Sequence, residues 1–199
     1  MRILYKIAFV LLLCMGLAVS TAQAQEQELP LGTALPMQGQ SVQNMNGSST
    51  TIGALTGSAG TVFLFWSNQC LWIDKLKDRV MALHNQFSGQ GVNFVLVNAN
   101  NATAFPQEAA SVGQEQGYPM TYVVDSGAAF AKALGASRTP HAFVFDSNHA
   151  LVYIGTIDDS PGDPGNVKKT YLGDALTAMV GGNAIGVPQT EAFGCTIKF

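Results

Sequence analysis

An α/β fold built on a mixed sheet is predicted by two patterns in the sequence. The wholly apolar run Val62–Trp66 is followed by apolar residues at helical spacing and then by a second β-rich run, Val92–Val97, which together make a strand–helix–strand unit. Further on, residues 141–146 and 150–156 are β-rich runs separated by Ser147-Asn148-His149, the pattern of an antiparallel hairpin. The first unit closes right-handed with parallel strands, and the hairpin adds antiparallel ones. At 199 residues the chain suits one domain with a full core.

Arg2 and Lys6 flank the start of an apolar run from Ile7 to Val19, and Ala22-Gln23-Ala24 offers small residues at the two positions a signal peptidase reads. Residues 1–24 therefore read as a cleaved signal peptide, too short in its apolar part for a comfortable membrane span. Cys14 follows the bulky Leu13, the wrong residue for lipoprotein processing, and leaves with the leader. The mature chain, from Gln25, is expected in the periplasm or outside the cell, without membrane attachment. Cleavage removes two basic residues and no acidic one, moving the formal net charge from −3 to −5. With no basic run and no aromatic–basic interleaving, nucleic-acid binding has no footprint.

Residues 25–36 read as an extended lead-in, with Pro30 and Pro36 breaking any helix. Residues 37–60 are rich in Gly, Ser, Thr, Gln and Asn, and Asn46-Gly47 signals the turn of a small hairpin. The strand at 62–66 leads into a helix over 71–88, apolar at Ile73, Leu76, Val80, Leu83 and Phe87 and charged at Asp74, Lys75, Lys77 and Asp78. Gly89 and Gly91 end it. After the strand at 92–97 and a polar loop from Asn98 to Thr103, a helix is expected over 104–116 and a strand over 120–124. Asp125 or Ser126 then caps a helix running through Leu134 to Gly135. The hairpin follows, then the acidic turn-rich loop 158–165, a last helix over 171–180, and an irregular tail. The expected organisation is a domain over 25–182 and a tail, 183–199, that carries Cys195.

Cys70 places one sulfur at the start of the first long helix. Free N–H groups and the helix dipole favour an anion there, which biases a thiol toward the nucleophilic thiolate. The same position also suits a buried cysteine acting as a small hydrophobe. Cys195 is the other cysteine of the mature chain, and in an exported protein the two are free to pair. A purely structural bridge closing so long a loop would contribute about 4–5 kcal/mol on the chain-entropy model. His84, His141 and His149 make no metal signature. His84 reads as a packed or surface helix residue and His141 as a strand-end residue. Asp158, Asp159 and Asp163 read as a solvated turn rather than a calcium loop. With no phosphate-binding glycine loop and no Gly-x-Ser-x-Gly elbow, neither a metal nor a cofactor is expected.

The order of elements, with Cys70 opening the first long helix and Thr139-Pro140 opening the late hairpin, resembles the thioredoxin fold. More narrowly it resembles the peroxiredoxin-like subgroup of the redoxins, related to alkyl hydroperoxide reductase and thiol-specific antioxidant proteins (AhpC/TSA). The matching pieces are Phe65-Trp66-Ser67-Asn68-Gln69-Cys70, Thr139–Asp146, Tyr153–Ser160 and Gly194-Cys195-Thr196-Ile197-Lys198. The resemblance implies a three-layer sandwich, a central mixed β-sheet flanked by helices, with the N-terminal hairpin as an extension. It implies that Cys70 is the attacking sulfur and that Pro140 is a cis proline facing it, exposing the Thr139 backbone to substrate beside Trp66. It also implies Ser67 as a hydroxyl that contacts peroxide, Arg138 as the cation beside the sulfur, and Cys195 as the residue that condenses with a Cys70 sulfenic acid.

Plainer roles stand beside these: Ser67 as a helix N-cap, Arg138 as a solvated loop charge, Cys195 as a structural or free cysteine. The sequence also departs from the pattern. Ile73 stands where thioredoxins have a second cysteine, and Phe63 where peroxiredoxins have a proline. Ser67 and Arg138 stand where members of the subgroup often have cysteines. Three functions remain open. One is an exported peroxidase-like thiol oxidoreductase that takes peroxide and a thiol reductant of the envelope. Another is mixed-disulfide exchange with envelope proteins through Cys70 alone. The third is a non-enzymatic binding protein in which Cys70 and Cys195 are structural or idle. The sequence carries no signal for oligomeric state.

Overall fold

The computed structural model describes residues 27–199; the expected leader, its cleavage site and Cys14 lie outside them. A strand buried along its whole length needs cover on both faces and both edges, and strand β3, Gly60–Phe65, has it. β4 (Val92–Asn98) pairs with it in parallel and β7 (His141–Asp146) antiparallel. Outside β4 lies β5 (Thr121–Val124), parallel, and outside β7 lies β8 (Leu151–Gly155), antiparallel. The N-terminal hairpin, β1 (Ser41–Asn44) and β2 (Ser49–Thr51), extends the sheet beyond β5. The order is β2-β1-β5-β4-β3-β7-β8, the mixed sheet that the sequence predicts.

Alternation along the central strands sorts their side chains into two cores. Val62, Leu64, Phe94, Leu96 and Val144 face α1 (Leu71–Phe87) and α4 (Tyr171–Val180). Phe63, Phe65, Val95, Val97, Phe143 and Phe145 face α3 (Ala129–Leu134) and the residues Leu35 and Ile52 that precede the first long strand. The second core is aromatic: Phe63 meets Phe130 edge-on at 5.0 Å and Phe145 at 6.0 Å between ring centroids. Helices on both faces of one sheet give three layers. α1 buries Ile73, Leu76, Val80 and Phe87 and keeps the Asp74–Lys77 pair outside.

Three elements differ from the sequence reading. The expected helix over 104–116 is a 3-10 turn at Pro106–Glu108 followed by α2 (Ala110–Glu115), with Ala109 extended between them at φ −62° and ψ 150°. Glu108 lies on this break with its carboxylate directed into the interior. The helix after β5 likewise opens with a 3-10 turn that bends through Gly127 and Ala128, both at positive φ. The Asp125 carboxylate there accepts the N–H groups of Phe130 and Ala131, at the start of α3, instead of capping the first residues. The tail expected to be irregular contains β9 (Cys195–Thr196), which pairs antiparallel with the two-residue strand β6 (Arg138–Thr139). No helix among the described residues is long and apolar enough to cross a membrane.

Candidate active site

β3 ends in the loop Trp66–Gln69, and the chain re-enters helix at Cys70, the N-cap residue of α1, with extended backbone at φ −74° and ψ 118°. The Cys70 carbonyl accepts the N–H of Ile73, while its sulfur sits at the helix end where backbone N–H groups have no intrahelical partner. Facing it is the turn between β6 and β7, with a cis peptide bond between Thr139 and Pro140. The Thr139 carbonyl oxygen lies 3.1 Å from Cys70 Sγ.

Pairing of β6 with β9 sets Thr139 opposite Cys195, and this register delivers the second sulfur. Cys70 and Cys195 form a disulfide across 125 residues of sequence, with Cα atoms 5.9 Å apart. A bonded sulfur carries no hydrogen, so the Thr139 contact is a sulfur–oxygen approach that a reduced Cys70 thiol would convert into a hydrogen bond. Cys70 is buried, 4% exposed, and Cys195 is half-buried. Gly194 makes the close approach feasible: it adopts φ +144°, and a β-carbon there would fall on the Thr139 carbonyl. Leu71, next in sequence to Cys70, is 74% exposed, and Phe193 packs edge-on against Trp72 at 4.6 Å.

The Cys70 loop rests on a buried polar network. The Glu108 carboxylate, 1% exposed, accepts the Ser67 hydroxyl, the Asn68 N–H at 2.9 Å and Asn98 Nδ2 at 3.0 Å. Asn98 Oδ1 in turn accepts the N–H and the Nδ2 of Asn100. Tyr122 donates its hydroxyl to Asn68 Oδ1 at 2.8 Å. Burial, and next the nearby Glu108 charge, push the Tyr122 phenol well above its usual range, so it is a neutral donor.

Of the residues singled out in the sequence, Cys70, Cys195, Thr139 and Pro140 meet at one point. Ser67 is engaged below them: its hydroxyl donates to Glu108 and accepts the Gln69 N–H. Arg138 donates from its guanidinium to Thr196 Oγ1 across the β6–β9 pair. Trp66 lies in the core, 1% exposed, against Tyr118. His141 is buried on the face away from α1, with Nε2 3.3 Å from Glu28 Oε1, and that imidazole holds the Glu28 carboxyl below its usual range. His84 packs edge-on against Phe94. Asp158 is paired with Arg79, and Asp163 caps a turn. No cluster of three His, Cys, Asp or Glu able to hold a metal occurs among the described residues.

The family model described as Redoxin matches residues 30–171. This chain belongs to the redoxin family. Among solved structures, the redoxin is similar to a hypothetical protein from Sinorhizobium meliloti 1021, with 30% identity and a TM-score of 0.78 over 87% of this chain and 96% of that one. An uncharacterized conserved protein from Geobacillus kaustophilus is 31% identical, with a TM-score of 0.78 over 85% and 92% of the two chains. Peroxidoxin BcpB from Mycobacterium tuberculosis, 12% identical with a TM-score of 0.55 over 78% and 98%, shares the thioredoxin-like fold. No curated protein matches the sequence.

Glu108, Asn98, Asn100 and Gly194 are not marked as site residues by the sequence of this redoxin. The run Asn98-Ala99-Asn100-Asn101 directly after an apolar strand is the available signal for the two asparagines, since a polar run at the C-terminal end of a parallel strand is where such folds place their sites. Nothing in sequence marks Glu108 as buried.

Proposed function

We propose that this redoxin is an exported thiol-dependent oxidoreductase in which Cys70 and Cys195 cycle between dithiol and disulfide. The observation that carries the reading is the bridge itself, formed at the N-terminus of α1 and against the Thr139 carbonyl. In the oxidising half, the Cys70 thiolate attacks the peroxide oxygen; a sulfur–oxygen bond forms, the oxygen–oxygen bond breaks, and an alcohol or water leaves. The Cys195 thiol then attacks the resulting sulfenic acid, the sulfur–sulfur bond forms, the sulfur–oxygen bond breaks and its oxygen leaves as water. A disulfide substrate enters by the same first attack, with a thiolate as leaving group.

In the reducing half, two thiols of an envelope reductant restore the pair and leave as their own disulfide. Cys195 is the less buried of the two residues and therefore the point of attack in this reading. Cys70 is the better leaving thiolate, because the helix end stabilises its charge.

The test is to reduce the mature protein, add one equivalent of hydrogen peroxide, and follow peroxide loss and the Cys70–Cys195 peptide by mass. Stoichiometric peroxide loss with closure of the bridge supports a peroxidase. Closure by an oxidised peptide but not by peroxide supports disulfide exchange. A second reading, a purely structural bridge, is favoured by the burial of Cys70; a disulfide that excess thiol leaves closed in the native protein would establish it.

A further inference from the structure

Asn100 touches the chain on both sides of the bridge. Its side-chain Nδ2 donates to Asn98 Oδ1 at 2.9 Å and reaches the carbonyl of Trp66, four residues before Cys70, at 3.4 Å. Its Oδ1 accepts the backbone N–H of Lys198, three residues after Cys195, at 2.9 Å. The neighbouring Asn101 N–H closes a second bond to the Lys198 carbonyl at 2.7 Å. Asn98 links this amide to Glu108, which holds the Ser67 hydroxyl and the Asn68 N–H. The two cysteine-bearing segments, far apart in sequence, are thus tied to one loop at the end of β4.

We propose that Asn100 is a positioning residue for the Cys70–Cys195 couple, setting how strongly the pair favours the disulfide; the inference rests on the redox-active reading above. In the dithiol form no covalent bond keeps the sulfurs together. Their effective concentration is then set by how tightly the loop and the tail are held, as for any intramolecular reaction. Each backbone group that Asn100 fixes narrows the range of positions open to Cys195 relative to Cys70. Removing that amide frees the tail, lowers the effective concentration, and makes the bridge easier to open. The β6–β9 pairing and the Asn101 bond remain, so the effect is partial.

The experiment is equilibration of the full mature protein with mixtures of reduced and oxidised dithiothreitol, reading the protein's disulfide fraction by alkylation and mass. Two electrons and two protons pass from the dithiothreitol dithiol to the protein disulfide, which becomes two thiols while the reagent closes to its cyclic disulfide. Asn100→Ala is expected to lower the equilibrium constant for the protein disulfide about tenfold, since more than one buried hydrogen bond is lost. For a two-electron couple that is a potential about 30 mV less negative. A chain ending at Ile197 lacks both Lys198 contacts, leaves the core intact, and is expected to shift in the same direction.

Asn93→Ala removes a single side-chain bond of the same kind at the other end of β4, from Asn93 Nδ2 to the Leu55 carbonyl, and is expected to leave the constant unchanged. A wild-type constant in both Asn100→Ala and the shortened chain would overturn the proposal, as would an equal shift in Asn93→Ala. A wild-type bridge that dithiothreitol cannot open would overturn the oxidoreductase reading and this inference together.

Discussion

Glu108 shows how much one residue can hold. Its carboxylate is enclosed, and three donors from two segments converge on it. Glu108→Ala would leave the Ser67 hydroxyl and the Asn68 N–H without this acceptor, each costing about 1–3 kcal/mol, whereas the Asn98 amide keeps the Glu108 backbone carbonyl at 3.1 Å. A loss of about 3 kcal/mol is expected in urea unfolding at unchanged m-value, with Glu108→Gln milder because it keeps the shape and one acceptor oxygen. A loss below about 1 kcal/mol would mean that water replaces the carboxylate. The cysteines separate more sharply. In Cys195→Ser the remaining sulfur sits at a helix N-terminus, which lowers a thiol's pKa from about 8.5; in Cys70→Ser the remaining sulfur lies on a short strand without that field. Alkylation rates against pH are therefore expected to inflect at lower pH for Cys195→Ser than for Cys70→Ser, and only the former should accumulate a sulfenic acid with peroxide. Coincident profiles would remove the helix end from the argument.

At the scale of elements, what is legible in sequence is what depends on local pattern. The apolar run that becomes β3, the spacing of Ile73, Leu76 and Val80 in α1, and the Asn46-Gly47 turn, with Gly47 at φ +85°, are all local statements. So is the position of Cys70 at a helix start. β6 and β9 are not legible, because each is two residues long and exists only as the other's partner; no periodicity fits in two residues. The break at Ala109 is hidden for a similar reason, since it places Glu108 against Asn98 and the Cys70 loop, contacts that helical propensity does not encode. Gly194 is the residue that lets β9 lie against the Thr139-Pro140 turn. Gly194→Ala puts a methyl group on the Thr139 carbonyl at a backbone angle that favours glycine. We expect β9 to lift, the tail to become sensitive to proteolysis, and the bridge to open faster with thiols. Protease digestion followed by mass analysis reads the first effect, and a wild-type digestion pattern would show that the turn, not the strand, yields.

For the whole molecule, pH and redox state act on the same stability. The Glu28 carboxyl is held below its usual value of 4.5, first by its contact with His141. The folded state therefore releases this proton more readily than the unfolded chain, and the contribution is present above about pH 4.5 and lost as pH falls through the lower, folded value. Asp125 works in the opposite sense: burial raises its carboxyl above 3.8, so its contribution declines as pH rises through the window above that value. Glu28→Gln should accordingly lower the urea midpoint at neutral pH and converge on wild type in acid; a gap that persists at low pH would mean a packing defect. The bridge contributes more. Cross-linking residues 125 apart stabilises a fold by about 5 kcal/mol on the chain-entropy model, against a typical total of about 5–15 kcal/mol. The reduced protein is thus expected to unfold at much lower urea. Because the states form a thermodynamic cycle, the folded chain must favour the disulfide over the unfolded chain by the same factor, on the order of thousandfold for about 5 kcal/mol. Urea curves of the oxidised and reduced protein, set beside dithiothreitol equilibria in buffer and in denaturant, measure the two sides independently. Equal values mean that the free energy the fold spends in bringing Cys70 to Cys195 is returned as stability when they bond. A smaller stability loss than the redox ratio demands would break the cycle's two-state premise, showing that the reduced tail leaves β6 before the rest of the molecule unfolds.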